Sequence, residues 1–136
     1  MADLNDSITI AAFGMRAQSA RLKVVAENIA NAESVGSSPG AKPYQRKTIS
    51  FKEELDKKLG VTTVKVDKVG LDSTDFPRDY DPGHPAADAE GYVLKPNVNP
   101  IIENMDLKEA ERSYEANLST IDITKNMISH TLELLR

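Results

Sequence analysis

The segment from residue 81 to residue 100, DPGHPAADAEGYVLKPNVNP, contains the residues of this chain that come closest to a catalytic or metal-binding set. His84 lies between Asp81 and Asp88, and an imidazole with two carboxylates could hold a metal ion or move a proton. Hydrolytic metal sites usually combine more imidazoles or several convergent carboxylates. The other histidine, His130, lies far along the chain. The segment is therefore either the centre of a metal-dependent hydrolase or a rigid loop.

The prolines of this segment favour a rigid loop. Proline fixes φ and stiffens the backbone, and aspartate side chains hold turns by accepting hydrogen bonds from nearby backbone amides. The sequence has no G-x-S-x-G nucleophile elbow and neither of the glycine-rich phosphate-binding motifs. We therefore predict no enzyme activity, no cofactor and no metal ion, with His84 as a turn or contact residue. The prolines are Pro82, Pro85, Pro96 and Pro100.

The composition excludes several classes of protein. The 136 residues fit one domain with or without extensions, and the absence of cysteine excludes disulfides and thiolate zinc sites. The 17 basic and 21 acidic residues are mixed along the chain, which argues against a nucleic-acid-binding surface. Asp3 and Asp6 stand where a secretory signal would carry basic residues. We expect that the protein binds no nucleic acid and no small-molecule substrate. If it is exported, we expect this to occur without a cleaved signal peptide.

The N-terminal part of the sequence predicts one long helix from about residue 3 to residue 32. Apolar residues recur with the 4-3 spacing of a coiled-coil seam, and Gln18 is its one polar member. A second apolar stripe lies roughly 150° around the helix. Gly14 would permit a close neighbour. The seam is Leu4, Ile8, Ala11, Met15, Gln18, Leu22, Val25, Ile29 and Ala32, and the second stripe is Ile10, Phe13, Ala17, Ala20 and Val24.

The C-terminal part predicts a second long helix, with Asn99 as its cap and Pro100 at its first position. Each helix would be about 45 Å long, and matched lengths favour an antiparallel pair. The second stripe of each helix must be covered by the middle segment or by neighbouring subunits, and the short, polar middle favours neighbours. The seam is Leu107, Glu111, Tyr114, Leu118, Ile121, Lys125, Ile128, Leu132 and Leu135, and the second stripe is Ala116, Ile123, Met127 and Leu134.

The middle of the chain predicts a loop-rich insert with two or three short strands. Residues 44–51, 61–69 and 91–96 are the strand candidates, and residues 52–60 are interpreted as a helical turn closed by Gly60. The predicted fold is mainly α, with two long terminal helices pairing as an antiparallel coiled-coil-like hairpin around a small loop-rich β insert. The predicted divisions are an N-terminal helix at 1–33, the insert at 34–99 and a C-terminal helix at 100–136.

Three stretches of the sequence resemble a known family. GMRAQSARLKVVAENIANAES, residues 14–34, is similar to the N-terminal motif of the bacterial flagellar axial proteins, which include rod, hook and hook-associated subunits. YDPGHPAADAEGYVLKPNVNP, residues 80–100, and EAERSYEANL, residues 109–118, resemble the proximal rod subunits of the flagellar basal body more particularly. Many axial proteins carry a tyrosine soon after the NIANA motif, whereas here the tyrosine comes later, at Tyr44.

The resemblance implies a structural subunit that assembles into a helical tube, encloses the export channel and transmits motor torque. It implies copies of the chain, other rod subunits, the basal-body membrane ring and the export gate as partners. It also implies export through the flagellum's own secretion apparatus, without a cleaved signal peptide, and a place in the rod crossing the periplasm. The alternatives are another rod or hook subunit, or a soluble coiled-coil adaptor.

Under this interpretation the proline-rich loop is a contact surface between subunits, and both helices contribute further contacts. The expected contact residues are Leu4, Ile8, Ile10, Ala11, Phe13, Met15, Leu22, Val24, Val25, Ile29, Asp81, Pro82, His84, Pro85, Tyr92, Tyr114, Leu118, Ile121, Ile128, Leu132 and Leu135.

Overall fold

The computed structural model describes residues 2–134, which form two long helices separated by four strands. This confirms the predicted mainly α fold with a β insert. No helix within the described residues has both the length and the apolar content needed to cross a membrane. The elements are α1 (Ala2–Ala30), β1 (Lys47–Asp56), β2 (Val61–Leu71), β3 (Arg78–Tyr80), β4 (Tyr92–Leu94) and α2 (Pro100–Leu134).

The start of α2 has the predicted cap. The Oδ1 atom of Asn99 accepts a hydrogen bond from the backbone amide of Ile101 at 3.0 Å, and its carbonyl oxygen accepts one from Glu103 at 3.0 Å. Pro100, the first residue of the helix, has no amide that needs a partner. The sequence Asn-Pro therefore fixes the residue at which α2 begins.

The chain divides into two compact units, and each unit contains part of both helices. The first unit combines the chain up to Leu22, the stretch Ser50–Lys68 and the chain from Lys108 onward. The second unit combines Lys23–Ile49 with Val69–Leu107.

The helices run antiparallel in the first unit, as predicted. The Nη2 atom of Arg21 lies 3.4 Å from the Oε2 atom of Glu109. A Cβ atom at Gly14 would lie 2.9 Å from the Nδ2 atom of Asn117. Because residue numbers fall along α2 as they rise along α1, the pair is antiparallel. The missing side chain of Gly14 leaves room for the Asn117 amide, which confirms the predicted close neighbour.

The buried face of α2 agrees with every second position of the predicted seam. At the positions between, the buried residue precedes the predicted one, so that Ala110, Asn117 and Thr124 replace Glu111, Leu118 and Lys125. Ala110 is fully buried and Thr124 is 5% exposed, whereas Glu111 and Lys125 are exposed. The burial of the Thr124 hydroxyl is compensated within α2, because it donates to the carbonyl of Thr120 at 2.7 Å. In the first unit the seam is Ala110, Tyr114, Asn117, Ile121, Thr124 and Ile128.

The second stripe of α1 is covered by the chain itself at every position except Ile10, which is 45% exposed, and this corrects the preference for neighbouring subunits at the other positions. Ala17 is 4% exposed and Val24 is 7% exposed. In the first unit, Phe13 and Ala17 of α1 line a small apolar cavity of about 210 Å³ together with Val64 and Val66 of β2. The second stripe of α2 is different, because Ile123, Met127 and Leu134 are 60%, 52% and 88% exposed.

The predicted helical turn at residues 52–60 is wrong, because β1 continues to Asp56 and pairs with β2 in a two-stranded sheet. The turn that joins the strands ends at Gly60, whose φ is 70°. Its backbone is held by the Oδ1 atom of Asp56, which accepts hydrogen bonds from Lys58 at 3.0 Å and Leu59 at 3.3 Å. The predicted strand at 61–69 is confirmed as β2.

A second, smaller sheet joins β3 to β4. The strands pair antiparallel with Arg78 opposite Leu94 and Tyr80 opposite Tyr92. β4 confirms the strand candidate at 91–96. β3 was not predicted, since its three residues are all exposed and show no alternation of apolar and polar residues.

The observed seam of α2 predicts opposite outcomes at adjacent residues. We expect Ala110→Leu to reduce the free energy of unfolding by about 1–3 kcal/mol, because a larger side chain overpacks a fully buried position. The control Glu111→Leu should change it by no more than about 0.5 kcal/mol, because residue 111 is exposed. Urea unfolding followed by circular dichroism measures both changes. A larger loss of unfolding free energy for Glu111→Leu would contradict the observed seam and support the one predicted from the sequence.

Candidate subunit interface

The three side chains of the hypothetical hydrolytic site each bond to their own turn. The Oδ1 atom of Asp81 accepts a hydrogen bond from the amide of Gly83 at 3.2 Å. The Nδ1 atom of His84 accepts one from the amide of Ala86 at 3.0 Å, and Asp88 holds a third turn. Among residues 2–134, no three His, Cys, Asp or Glu side chains are placed to hold a metal ion. These side chains shape the loop.

Asp88 fixes the end of this loop against β4. Its Oδ1 atom accepts hydrogen bonds from the amides of Glu90 and Tyr92, both at 2.9 Å, and its Oδ2 atom lies 3.4 Å from the Nη2 atom of Arg78. The bond from Tyr92, followed by that from Glu90 and the charge of Arg78, holds the pKa of Asp88 below its ordinary value. The charged carboxylate therefore stabilises the folded loop.

The loop presents a largely exposed surface whose turns are fixed by hydrogen bonds. Tyr80 and Tyr92 pack edge to face with ring centroids 5.3 Å apart. Gly91 has a φ of 86°, and a Cβ atom there would lie 3.0 Å from the ring of Tyr80, so glycine is needed beneath the ring. Of the predicted contact residues in this loop, His84 is half-buried and the exposed ones are Asp81, Pro82, Pro85 and Tyr92.

The predicted contact residues of the helices fall into three groups. Those buried within the chain are Ala11, Val24 and Val25. Those half-buried are Leu4, Ile8, Phe13, Met15, Leu22, Ile29, Tyr114, Ile121 and Ile128. Those exposed are Ile10, Leu118 and Leu132. Leu135 lies outside the described residues. The buried and half-buried groups belong mainly to the core of the chain, so contact with a neighbour stays a prediction chiefly for the exposed group.

The first turns of α2 expose an apolar surface that the sequence reasoning missed. In the second unit, Ile101, Ile102 and Met105 are 74%, 51% and 67% exposed. Their signal in the sequence is three large apolar residues within the first turns after Asn99–Pro100, outside both predicted stripes. Contiguous exposed apolar surface often marks an interaction site. This surface is therefore a second candidate contact, separate from the one that contains Ile123 and Met127 in the first unit.

A buried amide in the second unit links both helices to the insert. Asn28 is 1% exposed, and its Nδ2 atom donates to the carbonyl of Lys47 at 2.9 Å and to the Oε2 atom of Glu103 at 3.1 Å. Its Oδ1 atom accepts from the amide of Lys47 and from the hydroxyl of Tyr44, both at 2.9 Å. All four hydrogen-bonding positions of the side chain are occupied. Asn28 thus pairs with the backbone of β1 as a neighbouring strand would.

Glu103 is fully buried, and its carboxyl group is paired with Arg46. The Nε atom of Arg46 donates to its Oε1 atom at 2.5 Å. The Nη1 atom of Arg46 also lies 3.4 Å from Asp72, and the backbone amide of Arg46 donates to Asn97 at 2.7 Å. A buried charge is tolerated when it is paired and hydrogen-bonded in this way. Asn28, Tyr44, Arg46 and Glu103 are therefore the residues that sequence reasoning missed.

Two ionisable groups at the edge of this cluster stabilise each other. The Nζ atom of Lys47 lies 2.8 Å from the Oε2 atom of Glu27. Their hydrogen bond, supported by opposite charge, lowers the pKa of Glu27 and raises the pKa of Lys47. Burial raises the pKa of the Tyr44 hydroxyl, which keeps it protonated as a donor to Asn28. The Glu27–Lys47 pair is therefore charged, and the Tyr44 hydroxyl protonated, near neutral pH.

The Asn28 network predicts unequal effects within one motif. We expect Asn28→Ala to reduce the free energy of unfolding by about 3 kcal/mol or more, because it leaves several buried groups unpaired at about 1–3 kcal/mol each. The control Asn31→Ala should reduce it by no more than about 1 kcal/mol, because Asn31 is half-buried and its side chain makes local bonds, to the carbonyl of Glu27 and from the exposed hydroxyl of Ser34. Equal losses in urea unfolding would contradict this role for Asn28.

The turn formed by Asp88 predicts a pH-dependent loop. Because its folded pKa is lowered, Asp88 contributes stability that is complete above the ordinary aspartate pKa of about 3.9. That stability is lost as the pH falls through the lower folded value. In an NMR titration, the amides of Glu90 and Tyr92 should shift with a midpoint below about 3.9, and Asp88→Asn should remove this transition. A midpoint at or above the ordinary value would contradict the assignment.

Comparison with known proteins matches both ends of the chain to flagellar families. Residues 8–36 match the family described as flagella basal body rod protein, and residues 89–134 match the C-terminal region described for the flagellar basal body rod FlgEFG proteins. The second match contains β4 and α2, and the first contains most of α1.

Full-length relatives carry a more particular name. The chain is 52% identical over 136 residues to the flagellar basal-body rod protein FlgC of Agrobacterium fabrum, an alignment that covers 100% of this chain and 98% of the relative. It is 39% identical to FlgC of Salmonella typhimurium, with 92% of each chain covered. It is 36% identical to FlgC of Bacillus subtilis, with 94% of this chain and 95% of the relative covered. The chain belongs to the FlgC family of flagellar basal-body rod proteins.

Proposed function

We propose that this chain is a structural subunit of the proximal rod of the bacterial flagellar basal body, where it assembles with copies of itself and with other rod subunits. The rod would form a helical tube that encloses the export channel and transmits motor torque. The observation that carries the proposal is the exposed apolar face of α2, which the chain does not cover. Membership of the rod-protein family supports the same function.

The two faces of α2 support an assembly mechanism. In the first unit, the face that contains Ala110 and Thr124 packs within the chain, while Ile123 and Met127 stay more than half exposed. Full burial of an apolar side chain contributes about 1.5–3 kcal/mol, so a few such residues on each subunit would hold neighbours together. Long helices joined along several faces resist bending, which a torque-bearing rod requires.

The proline-rich loop would serve this assembly as a shaped contact surface, without catalysis. The support is that Asp81, His84 and Asp88 already bond to backbone amides of their own turns. We extend the proposal to contacts with the basal-body membrane ring and the export gate. The rod would cross the periplasm, and the chain would reach it without a cleaved signal peptide.

The exposed face of α2 gives a test in living cells. In a strain lacking the gene, we expect Ile123→Asp with Met127→Asp to abolish motility and to leave the chain absent from purified basal bodies, because charges replace the adhesive apolar side chains. The matched control, Lys125→Asp with Ser129→Asp, changes two exposed polar residues with the same spacing, roughly 160° around the helix from Ile123 and Met127, and should preserve both.

The readouts are swimming in soft agar, immunoblots of purified basal bodies and circular dichroism of the purified variants. Circular dichroism should show the same helix content for both double variants. Normal incorporation of the Ile123 and Met127 variant would overturn the proposed interface. Absence of the unaltered chain from basal bodies would overturn the rod function and leave the coiled-coil adaptor as the alternative.

A further inference from the structure

The first unit contains an open groove of about 550 Å³ that neither the seam nor the proline-rich loop explains. Its walls come from α1, the β1–β2 hairpin and α2, and it lies beside the point where Gly14 admits Asn117. The polar side chains that line it include Gln18, Glu53, Thr62, Ser113 and Asn117.

The groove combines an apolar lining with one carboxylate that the chain leaves without an ion-pair partner. Its walls include the apolar side chains of Ile10, Val64 and Ala116. Glu53 takes part in none of the ion pairs of the described residues, and no lysine or arginine lines the groove. The groove therefore suits a cationic donor from outside.

The turn between β1 and β2 carries the complementary groups. Lys57 and Lys58 are exposed and form no ion pair within the described residues. Leu55 and Leu59, which flank them, are 57% and 50% exposed. The turn has a defined shape because Asp56 holds its backbone amides. It thus offers two cations and an apolar rim on a preorganised support.

We propose that the groove of one copy of this chain receives the β1–β2 turn of a second copy, with a lysine ammonium group facing Glu53. The contact deepens the proposed rod function and depends on it. In the proposed contact each groove receives the turn of the next copy, so that the copies join head to tail. Contacts of that type close into rings or extend into helical filaments, which is the symmetry that a tubular rod needs.

Cysteine crosslinking tests this contact directly, because the chain has no cysteine of its own. Ser113→Cys in the groove and Lys58→Cys at the turn would be carried on two differently tagged chains expressed together in the deletion strain. After oxidation of purified basal bodies, we expect a disulfide-linked product of twice the chain mass that carries both tags. The matched control replaces Ser113→Cys by Ser119→Cys, an exposed serine of α2 outside the groove, and should give no such product.

The outcomes separate this contact from the rod function. If both variants are present in basal bodies and no doubly tagged product forms, the contact is overturned and the rod function stands. A product between Ser113→Cys and a chain of different mass would overturn the assignment to a second copy. If the unaltered chain is absent from basal bodies, the rod function and this contact are both overturned.

A charge exchange provides a second readout. Glu53→Lys alone, and Lys57→Glu with Lys58→Glu alone, should each reduce incorporation into basal bodies by about tenfold, because each removes a charge-assisted contact. The three substitutions together should restore incorporation to near the unaltered level. A combined loss as large as the product of the separate losses would overturn the proposed pairing.

Discussion

The structure depends on one buried polar arrangement, the side chain of Asn28 bonded to the backbone of Lys47 and to Glu103. A seam of small and polar residues allows several registers of two helices, since few large side chains interlock. The buried amide removes that freedom, because a shifted α2 would leave Asn28 and Glu103 without partners. Buried polar groups reduce stability compared with apolar ones, and their attested use is to specify register. The same arrangement also fixes where the insert leaves α1.

The sequence pattern predicted the elements correctly where large apolar residues mark the buried face. It failed where the buried residues are small or polar, and where a charged stretch forms a strand. The buried stripe of α1 followed from its heptad spacing. In α2, the spacing of Leu118 and Leu132 drew the predicted seam away from Ala110 and Thr124, since a small residue and an internally bonded threonine give no apolar signal. Residues 52–60 were misassigned because glutamate, lysine and leucine favour helices, whereas pairing with β2 decides their structure.

The contact surfaces were predictable to different degrees for a related reason. The turns of the proline-rich loop follow from residues a few positions apart, so Asp81 and Asp88 could be assigned as turn residues from spacing. The buried network joins residues that are distant in sequence, since 75 positions separate Asn28 from Glu103 and 57 separate Arg46 from Glu103. No local pattern records such pairs. Glu103 also looked like an ordinary acidic residue in the first turn of a helix, where the helix dipole favours negative charge.

The distribution of polar and apolar groups separates two requirements of an assembling subunit. Polar groups inside the chain, around Asn28, satisfy one another and specify a single arrangement. Apolar residues outside, such as Ile101, Ile123 and Met127, remain exposed and can adhere to any complementary face. Adhesion of that kind does not fix direction, because apolar contact is non-directional. A rod with defined polarity therefore needs additional contacts that join unlike surfaces, and a groove that holds Glu53 together with a turn that carries Lys57 and Lys58 meets that need.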